Sequence, residues 1–541
     1  MSLQSLIDSP KELLELINYC LKKPNKLDTT KFGEVFTPMS FINDMLHDLE
    51  AYYTKKYNKN IFEDEKLKWG DTTTGMGNFP IAIYYKLMDG LKNKIPNDKD
   101  RKKHILEKML FMAEYNKKNC FIVKQIFNIN NELKLNLYKG DSLQLDIQKE
   151  FGVDKFDIVI GNPPYNEDKN KRGELPPLYN KFIEFYIDKC ELLCYVIPSR
   201  WFSGGKGLDN FRKKMLERTD IVYIKHFDNA SKIFGNSVEI KGGVNYFIKD
   251  KNHYGDTNFN GTITKLNKYD VFVDSKYHTI IDKLLIFESI TQLFMGRYFK
   301  FETNSSLLND DTNGIKCYVS KKKGLIKFVD INKITQEYKY WKVITPTGCH
   351  KAYSGFGDLY ILNNNEIHTT SYIQFKVNNE NEAKYLSSYL KCRLPNFMLS
   401  LRKNSQLISG STCKWIPLPP LNKEWTDETV YKHFKLSEDD IKLINDTNII
   451  GYKNIVKQNE GSVETKPKRI SKKKIQIQEP VVVEAVIEQP IEPKIKPKRV
   501  LKIKSKVETI DEPIIQPHEP VVVEEIKPKK IVKKKLNLIE V

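Results

Sequence analysis

Phe156-Asp-Ile-Val-Ile-Gly-Asn-Pro-Pro-Tyr165 is an apolar, β-branched run that stops at a glycine, a side-chain amide, two prolines and an aromatic ring. It reads as a buried strand that the prolines end, because each fixes φ and lacks an N–H for the ladder. Cys194-Tyr-Val-Ile-Pro198 has the same character, whereas Arg101 to Lys108 and Tyr179 to Cys190 carry helical spacing. This alternation, up to about residue 250, predicts an α/β fold with helices on the faces of a parallel sheet.

Upstream, Trp69-Gly-Asp-Thr-Thr-Thr-Gly-Met-Gly-Asn-Phe-Pro80 offers Gly75 and Gly77 for a tight turn and a close backbone approach to a ligand. Alone, such a pair is equally an ordinary strand-to-helix turn. Order adds weight. Glu114 follows a second strand-like run, Met109 to Ala113, in position to accept hydrogen bonds from a ribose. Gly140-Asp141-Ser142 follows a third, Leu133 to Leu137. Acids after successive strands line the carboxyl edge of the sheet, where such folds bind nucleosides. Taken singly, Glu114 and Asp141 read better as solvated surface carboxylates. The long gap from Gly77 to Glu114 predicts an inserted helical hairpin around Pro96 to Arg101.

The residues of the proline turn match a chemical need. A conjugated exocyclic amine is a poor nucleophile, because its lone pair is delocalised into the ring. Two acceptors gripping its hydrogens, the Asn162 side-chain oxygen and a carbonyl held rigid by Pro163 and Pro164, would localise that lone pair toward an incoming methyl. Tyr165 would then supply a face for the base. The competing reading is a strand-ending turn with Tyr165 in the core.

The chain has 541 residues, more than one core usually organises, and a formal net charge of +19. That excess calls for a polyanionic partner, nucleic acid ahead of an acidic membrane surface. Eight scattered cysteines form no zinc-ligand spacing and read as reduced core residues, so no metal site is expected. With no signal peptide and no apolar run of membrane-spanning length, a soluble intracellular protein is expected, cytoplasmic or, in a eukaryotic host, nuclear.

Over most of residues 30 to 450 the chain resembles the adenine-specific DNA methyltransferases of bacterial restriction-modification systems that carry an NPPY motif. Gly33-Glu-Val-Phe-Thr-Pro38 is similar to the family's N-terminal element, which places Phe36, Thr37 and Pro38 at the methionine end of S-adenosylmethionine. The resemblance makes Asp71, Gly75 and Gly77 the cofactor loop, Glu114 the ribose acid and Asp141 the acid near the cofactor adenine. Asn162, Pro163, Pro164 and Tyr165 become the catalytic motif, with Asn162 also beside the cofactor. Ile197-Pro-Ser-Arg-Trp201 with Gly204-Gly205, and Glu239-Ile-Lys-Gly-Gly243, resemble downstream family segments. One departure is Thr72-Thr73-Thr74 with Met76, where the family commonly has D-P-A-C-G-T-G. The implied fold is a Rossmann-like methyltransferase sheet with helices on both faces, the implied substrate double-stranded DNA whose target base flips out, and a cognate restriction endonuclease a further candidate partner.

Composition divides the chain into a part over 1–255, a mixed, strand-richer part over 256–460, and a tail over 461–541; the resemblance makes the first the catalytic domain and the second the target-recognition domain. The second carries Lys339-Tyr-Trp-Lys342, Leu401-Arg-Lys-Asn-Ser-Gln406 and Lys414-Trp415. Ser437-Glu-Asp-Asp440 reads as the cap of a short helix that closes it. The tail lacks Phe, Tyr and Trp, repeats Glu-Pro-Val-Val-Val-Glu at 479 and 519 and Lys-Pro-Lys-Arg at 466 and 496, and reads as disordered low-complexity sequence. Its 19 Lys and Arg against 12 Asp and Glu suit phosphate contacts, nuclear import or no partner at all.

Asn-Pro-Pro-Tyr also resembles the motif of methyltransferases acting on RNA amines or protein glutamine. The N-terminal element, the basic charge and the aromatic, basic second domain favour DNA. A restriction endonuclease, alone or fused, is suggested superficially by Asp228 with Glu239-Ile-Lys241. A non-catalytic DNA-binding protein would require loss of Asn162 or Asp71, and both are present.

Overall fold

The computed structural model describes residues 5–13, 15, 17, 37–168, 175–205, 207–235, 240, 242–320, 325–348, 354–403, 406–450 and 452. Phe36, Glu239, Lys241, Cys20, Cys349, Asn404, Ser405 and the tail from 461 lie outside the described residues.

Nine strands form one sheet: β1 (Trp69–Asp71), β2 (Leu110–Glu114), β3 (Asn136–Lys139), β4 (Phe156–Gly161), β5 (Cys190–Pro198), β6 (Ile221–Phe227), β7 (Val244–Asp250), β8 (Thr257–Phe259) and β9 (Thr262–Thr264). Their order is β3-β2-β1-β4-β5-β7-β6-β8-β9. The first five are parallel, and β7 inserts antiparallel between β5 and β6. The sheet runs to Thr264, past the residue-255 boundary drawn from composition.

Apolar residues on alternate strand positions enter two different cores, as a sheet covered on both faces requires. Ile158, Ile160, Leu192, Cys194 and Ile248 pack with α1 (Met39–Tyr57) and α2 (Asn78–Gly90). After α2 come α3 (Asp98–His104), which runs into a π turn, and after β2 α4 (Lys117–Phe127), whose Val123, Ile126 and Phe127 join the same core. Phe156, Val159, Leu193, Tyr195 and Phe247 pack on the other face with α5 (Tyr179–Tyr186) and α6 (Asp209–Leu216). Helix α2 follows directly from the glycine turn, and α3, which Asn97 caps through Lys99 N and Asp100 N, lies where the insertion around Pro96 to Arg101 is expected.

The third strand begins later than its apolar pattern suggests. Asn128 grips both the N–H and the carbonyl of Leu133, holding that stretch in a turn, and the Asn136 amide donates to Glu107 O and Leu110 O at the strand's start.

From about 270 onward two smaller sheets appear. One orders β10 (Phe294–Gly296), β16 (Tyr372–Val377), β13 (Trp341–Pro346) and β14 (Tyr360–Leu362); the other orders β12 (Ile326–Val329), β11 (Ile315–Tyr318) and β15 (Glu366–His368). Helices α7 (Glu380–Lys391) and α8 (Arg393–Arg402) pack with the first of them, so the region is mixed as well as strand-rich. Ser437 does cap a helix, α9 (Glu438–Asp446), through a capping box with Asp440. The segment from Asp270 to Val273 joins the two parts: Phe272 sits in a core of the large sheet, while Val271 and Val273 sit in the core of the second region. The six described cysteines are free and buried. Among the described residues no helix is long and apolar enough to cross a membrane.

Candidate active site

Strands β1 and β4 are adjacent and parallel, with Trp69 opposite Ile158 and Gly70 opposite Val159. The chain continues to β2 and β3 on one side and to β5 on the other, so the turns after β1 and β4 leave one edge where the strand order reverses, the usual place for a ligand crevice. Asp71 ends β1, and Gly161 ends β4 immediately before Asn162. A Cβ on Gly161 would lie 2.9 Å from Asp71 Oδ1 and 3.3 Å from Thr73 Oγ1, so glycine is what lets the two turns meet.

The glycine turn is tied down by its threonines. The Thr73 N–H donates to Asp71 Oδ1 at 3.0 Å, the Thr74 hydroxyl to Asp71 O at 3.0 Å, and the Thr74 N–H to Ala113 O at 3.1 Å. Thr72 Oγ1 pairs with the buried Tyr195 hydroxyl, while its carbonyl accepts from Ser142 Oγ. The threonine triplet that departs from the family's usual loop thus supplies the loop's own support. Gly77, at φ +97°, begins α2 in a conformation L side chains rarely adopt.

Glu114 lies beside this turn. Its Oε2 accepts from Gly75 N at 2.7 Å and its Oε1 from Asn116 N at 2.6 Å. Asp141 is exposed and accepts from Leu143 N at 3.0 Å, while its neighbour Ser142 is buried against Thr72 and Tyr186.

Thr37 arrives from the N-terminal side and touches both motifs. Its carbonyl accepts from Asn78 Nδ2 at 2.9 Å, and its hydroxyl oxygen accepts from Asn162 Nδ2 at 3.1 Å. Pro38 follows as the cap of α1, and that helix is fastened to the sheet where Asp250 accepts from Tyr52 and Tyr57 and Asp48 accepts from Tyr223, Lys225 and Tyr246. Asn162 and Pro164 are half-buried, and Pro163 is buried. Tyr165 is 7% exposed, with its ring in the core beneath the turn, so little of the face expected to receive a base is open.

Burial pushes the Asp71 carboxyl up to about 8, and the Glu114 charge adds to the shift while the Thr73 N–H opposes it. Burial likewise raises the Tyr165 hydroxyl well above the tyrosine range, an effect the Asn162 side chain beside it partly offsets. Asp71 Oδ2, Thr73 Oγ1 and Asn78 Oδ1 are buried oxygens with no hydrogen-bond partner among the described residues. Three such oxygens at one glycine turn are costly unless a donor-rich ligand meets them, and the ammonium of S-adenosylmethionine is one. Asn78, Thr72, Ser142 and Tyr195 were not singled out from sequence as site residues. All four lie inside stretches read from the sequence as turns or strands, and it is the neighbouring strands that turn their side chains toward the site. Among the described residues no group of His, Cys, Asp and Glu is arranged to hold a metal.

Residues 92–234, which carry β2 through β6 and the proline turn, match the Eco57I restriction-modification methylase family. The chain is 26% identical over 372 residues to an uncharacterised adenine-specific methylase of Mycoplasma pneumoniae, covering 54% of this chain and 87% of that protein. Among solved structures it is similar to the ATP-dependent Type ISP restriction-modification enzyme LlaBIII bound to DNA, with a TM-score of 0.48 and 12% identity over 78% of this chain and 41% of that one. It is also similar to the Type IIL restriction-modification enzyme MmeI in complex with DNA, with a TM-score of 0.45 and 13% identity over 72% of this chain and 69% of that one. The chain spans less than half the length of LlaBIII. The Asn-Pro-Pro-Tyr turn, set beside a glycine turn at the switch point of the sheet, lies within the residues that match the restriction-modification methylase family.

Proposed function

We propose that the chain transfers a methyl group from S-adenosylmethionine to the exocyclic N6 amine of adenine in double-stranded DNA, at specific sites. The observation that carries this reading is the position of Asn162, one residue past the end of β4 and directly across from the Asp71 turn. S-adenosylmethionine, when bound, supplies an electrophilic methyl group. Asp71, Thr73 and Asn78 would receive its ammonium, Glu114 its ribose hydroxyls, Asp141 the neighbourhood of its adenine, and Phe36, Thr37 and Pro38 its methionine end.

Asn162 Oδ1 and the carbonyl stiffened by Pro163 and Pro164 accept the two hydrogens of the target amine. As that nitrogen gains positive character its hydrogens become more acidic, and both acceptors hold them more tightly than in the ground state. A preference of this kind lowers the barrier. In a duplex the adenine amine is engaged in pairing, so the base must leave the helix, at a cost of a few kcal/mol. The second region, 256–460, would read the target sequence, and a cognate restriction endonuclease would complete the system.

The test is modification-aware sequencing of DNA from cells expressing the wild-type chain or Asn162→Ala, with radiolabelled methyl transfer in vitro. The expected outcome is methylated adenine in one sequence context, and a rate loss of about 100-fold or more in the variant. Label in RNA or protein instead, or normal turnover by Asn162→Ala, would overturn the reading.

A further inference from the structure

A side-chain amide has an acceptor corner and a donor corner of nearly equal size. Turned by half a rotation, Asn162 would point an NH2 group at the target amine, donor against donor, and the lone pair would not be localised. Something must hold the amide one way round.

The Asn162 Nδ2 donates to Thr37 Oγ1 at 3.1 Å across 125 residues of sequence. Thr37 is itself fixed. It is 3% exposed, its carbonyl accepts from the Asn78 side chain at 2.9 Å, and the next residue caps α1, which two tyrosines pin to Asp250 at the far side of the sheet. The bond therefore fixes where the Asn162 side chain lies, against a group that has little room to move, and because a hydroxyl can donate as well as accept, it is the sense shown, Nδ2 to Oγ1, that leaves the carbonyl oxygen as the other corner. The Tyr165 hydroxyl lies beside the same amide.

We infer that Thr37 is a positioning residue for the methyl-transfer step: its hydroxyl holds the Asn162 amide nitrogen so that the amide oxygen meets the target amine. This rests on the reading of Asn162 as the acceptor. It gives Thr37 a role beyond enclosing the methionine end of the cofactor, and it makes the N-terminal element part of the acceptor machinery.

The test compares Thr37→Val, Thr37→Ser and Asn162→Ala in the full chain. Single-turnover methyl transfer, S-adenosylmethionine affinity by calorimetry, DNA affinity and melting temperature are measured for each. Thr37→Val keeps the shape and removes the acceptor, so the transfer rate should fall by up to about 100-fold, the scale of a misplaced reacting group. DNA affinity should stay near wild type, and the rate loss should persist at saturating S-adenosylmethionine, whatever the variant loses in cofactor affinity at the methionine end. Thr37→Ser restores the hydroxyl and should return most of the rate. The inference is overturned if Thr37→Val turns over at the wild-type rate, if saturating S-adenosylmethionine restores its rate, or if Thr37→Ser is no better than Thr37→Val. Normal turnover by Asn162→Ala would instead remove the reading of Asn162 itself, whatever Thr37 does.

Discussion

The Gly75 N–H and the Glu114 carboxylate are joined at 2.7 Å, and the second oxygen of the same carboxylate takes the Asn116 N–H at 2.6 Å. Glu114 therefore builds the glycine turn, besides the ribose contact proposed for it. Glu114→Gln separates these roles. The amide has one oxygen for two backbone donors, so one donor is left facing an NH2 group. A buried donor without a partner costs about 1–3 kcal/mol. The melting temperature should fall and S-adenosylmethionine affinity should drop, with Glu114→Ala worse on both counts. A Gln variant that melts like wild type would show that the turn does not depend on this carboxylate.

Tyr165 is expected to behave as a core residue and a base platform at once. Its ring is packed beneath the turn, so Tyr165→Ala should destabilise the protein by roughly 3 kcal/mol, as large-to-small core changes do. Tyr165→Phe keeps the ring and should leave stability and most of the transfer rate intact. Duplex DNA with 2-aminopurine at the target position should brighten on binding to wild type and to the Phe variant, and much less with the Ala variant at a temperature where it is still folded. Equal brightening with all three would remove Tyr165 from the base-binding role.

Much of the catalytic half was legible because its signals are local. A β-branched run, two prolines and an acid at the end of a strand each act on their own few residues. The Asn162–Thr37 bond was not legible, because 125 residues separate its partners and no periodicity connects them. Nor was the support that Thr72 receives from Ser142 and Tyr195, which depends on which strands become neighbours. The start of β3 was misplaced because Asn128 holds Leu133 in a turn and Asn136 anchors the strand's first residue to Glu107 O and Leu110 O. In the second region the strand-rich character was legible, whereas nothing was read as the helix α7, which Asn379 caps through Glu382 N.

The junction between the two parts makes its own prediction. Arg402, 2% exposed along its side chain, grips Asp270 through both terminal nitrogens at 2.7 and 2.9 Å and lies over the Trp415 ring at 4.4 Å. Asp270→Ala leaves that guanidinium buried without its carboxylate. The cost should fall below the roughly 3–5 kcal/mol of a fully buried pair, because Asp270 is half-exposed. Burial alone would raise this carboxyl, yet Arg402 and Lys414 hold it at about 2. A depressed carboxyl stabilises the fold above its ordinary value of 3.8 and loses that contribution as pH falls toward 2. Thermal melts between pH 4 and 2 should therefore be steeper in wild type than in Asp270→Ala. Parallel curves would mean that the pair contributes nothing to acid stability.

Asp71 should make both stability and cofactor binding depend on pH, with opposite consequences. Its carboxyl sits near 8 in the fold against 3.8 ordinarily, so between those values the folded chain holds a proton that the unfolded chain has lost. Stability then declines as pH rises through that window. Asp71→Asn removes the titration and should flatten the melting temperature from pH 5 to 8. An ammonium prefers the ionised carboxylate, so binding of S-adenosylmethionine should release a proton and strengthen as pH rises, by at most about tenfold per unit. The ligand's own α-amino group titrates at about 7.7–8.0, so the gain should stop and reverse above that range. Calorimetry in buffers of different ionisation enthalpy reads the released proton directly. No proton release at pH 7, or a wild-type affinity profile in Asp71→Asn, would place the ammonium elsewhere.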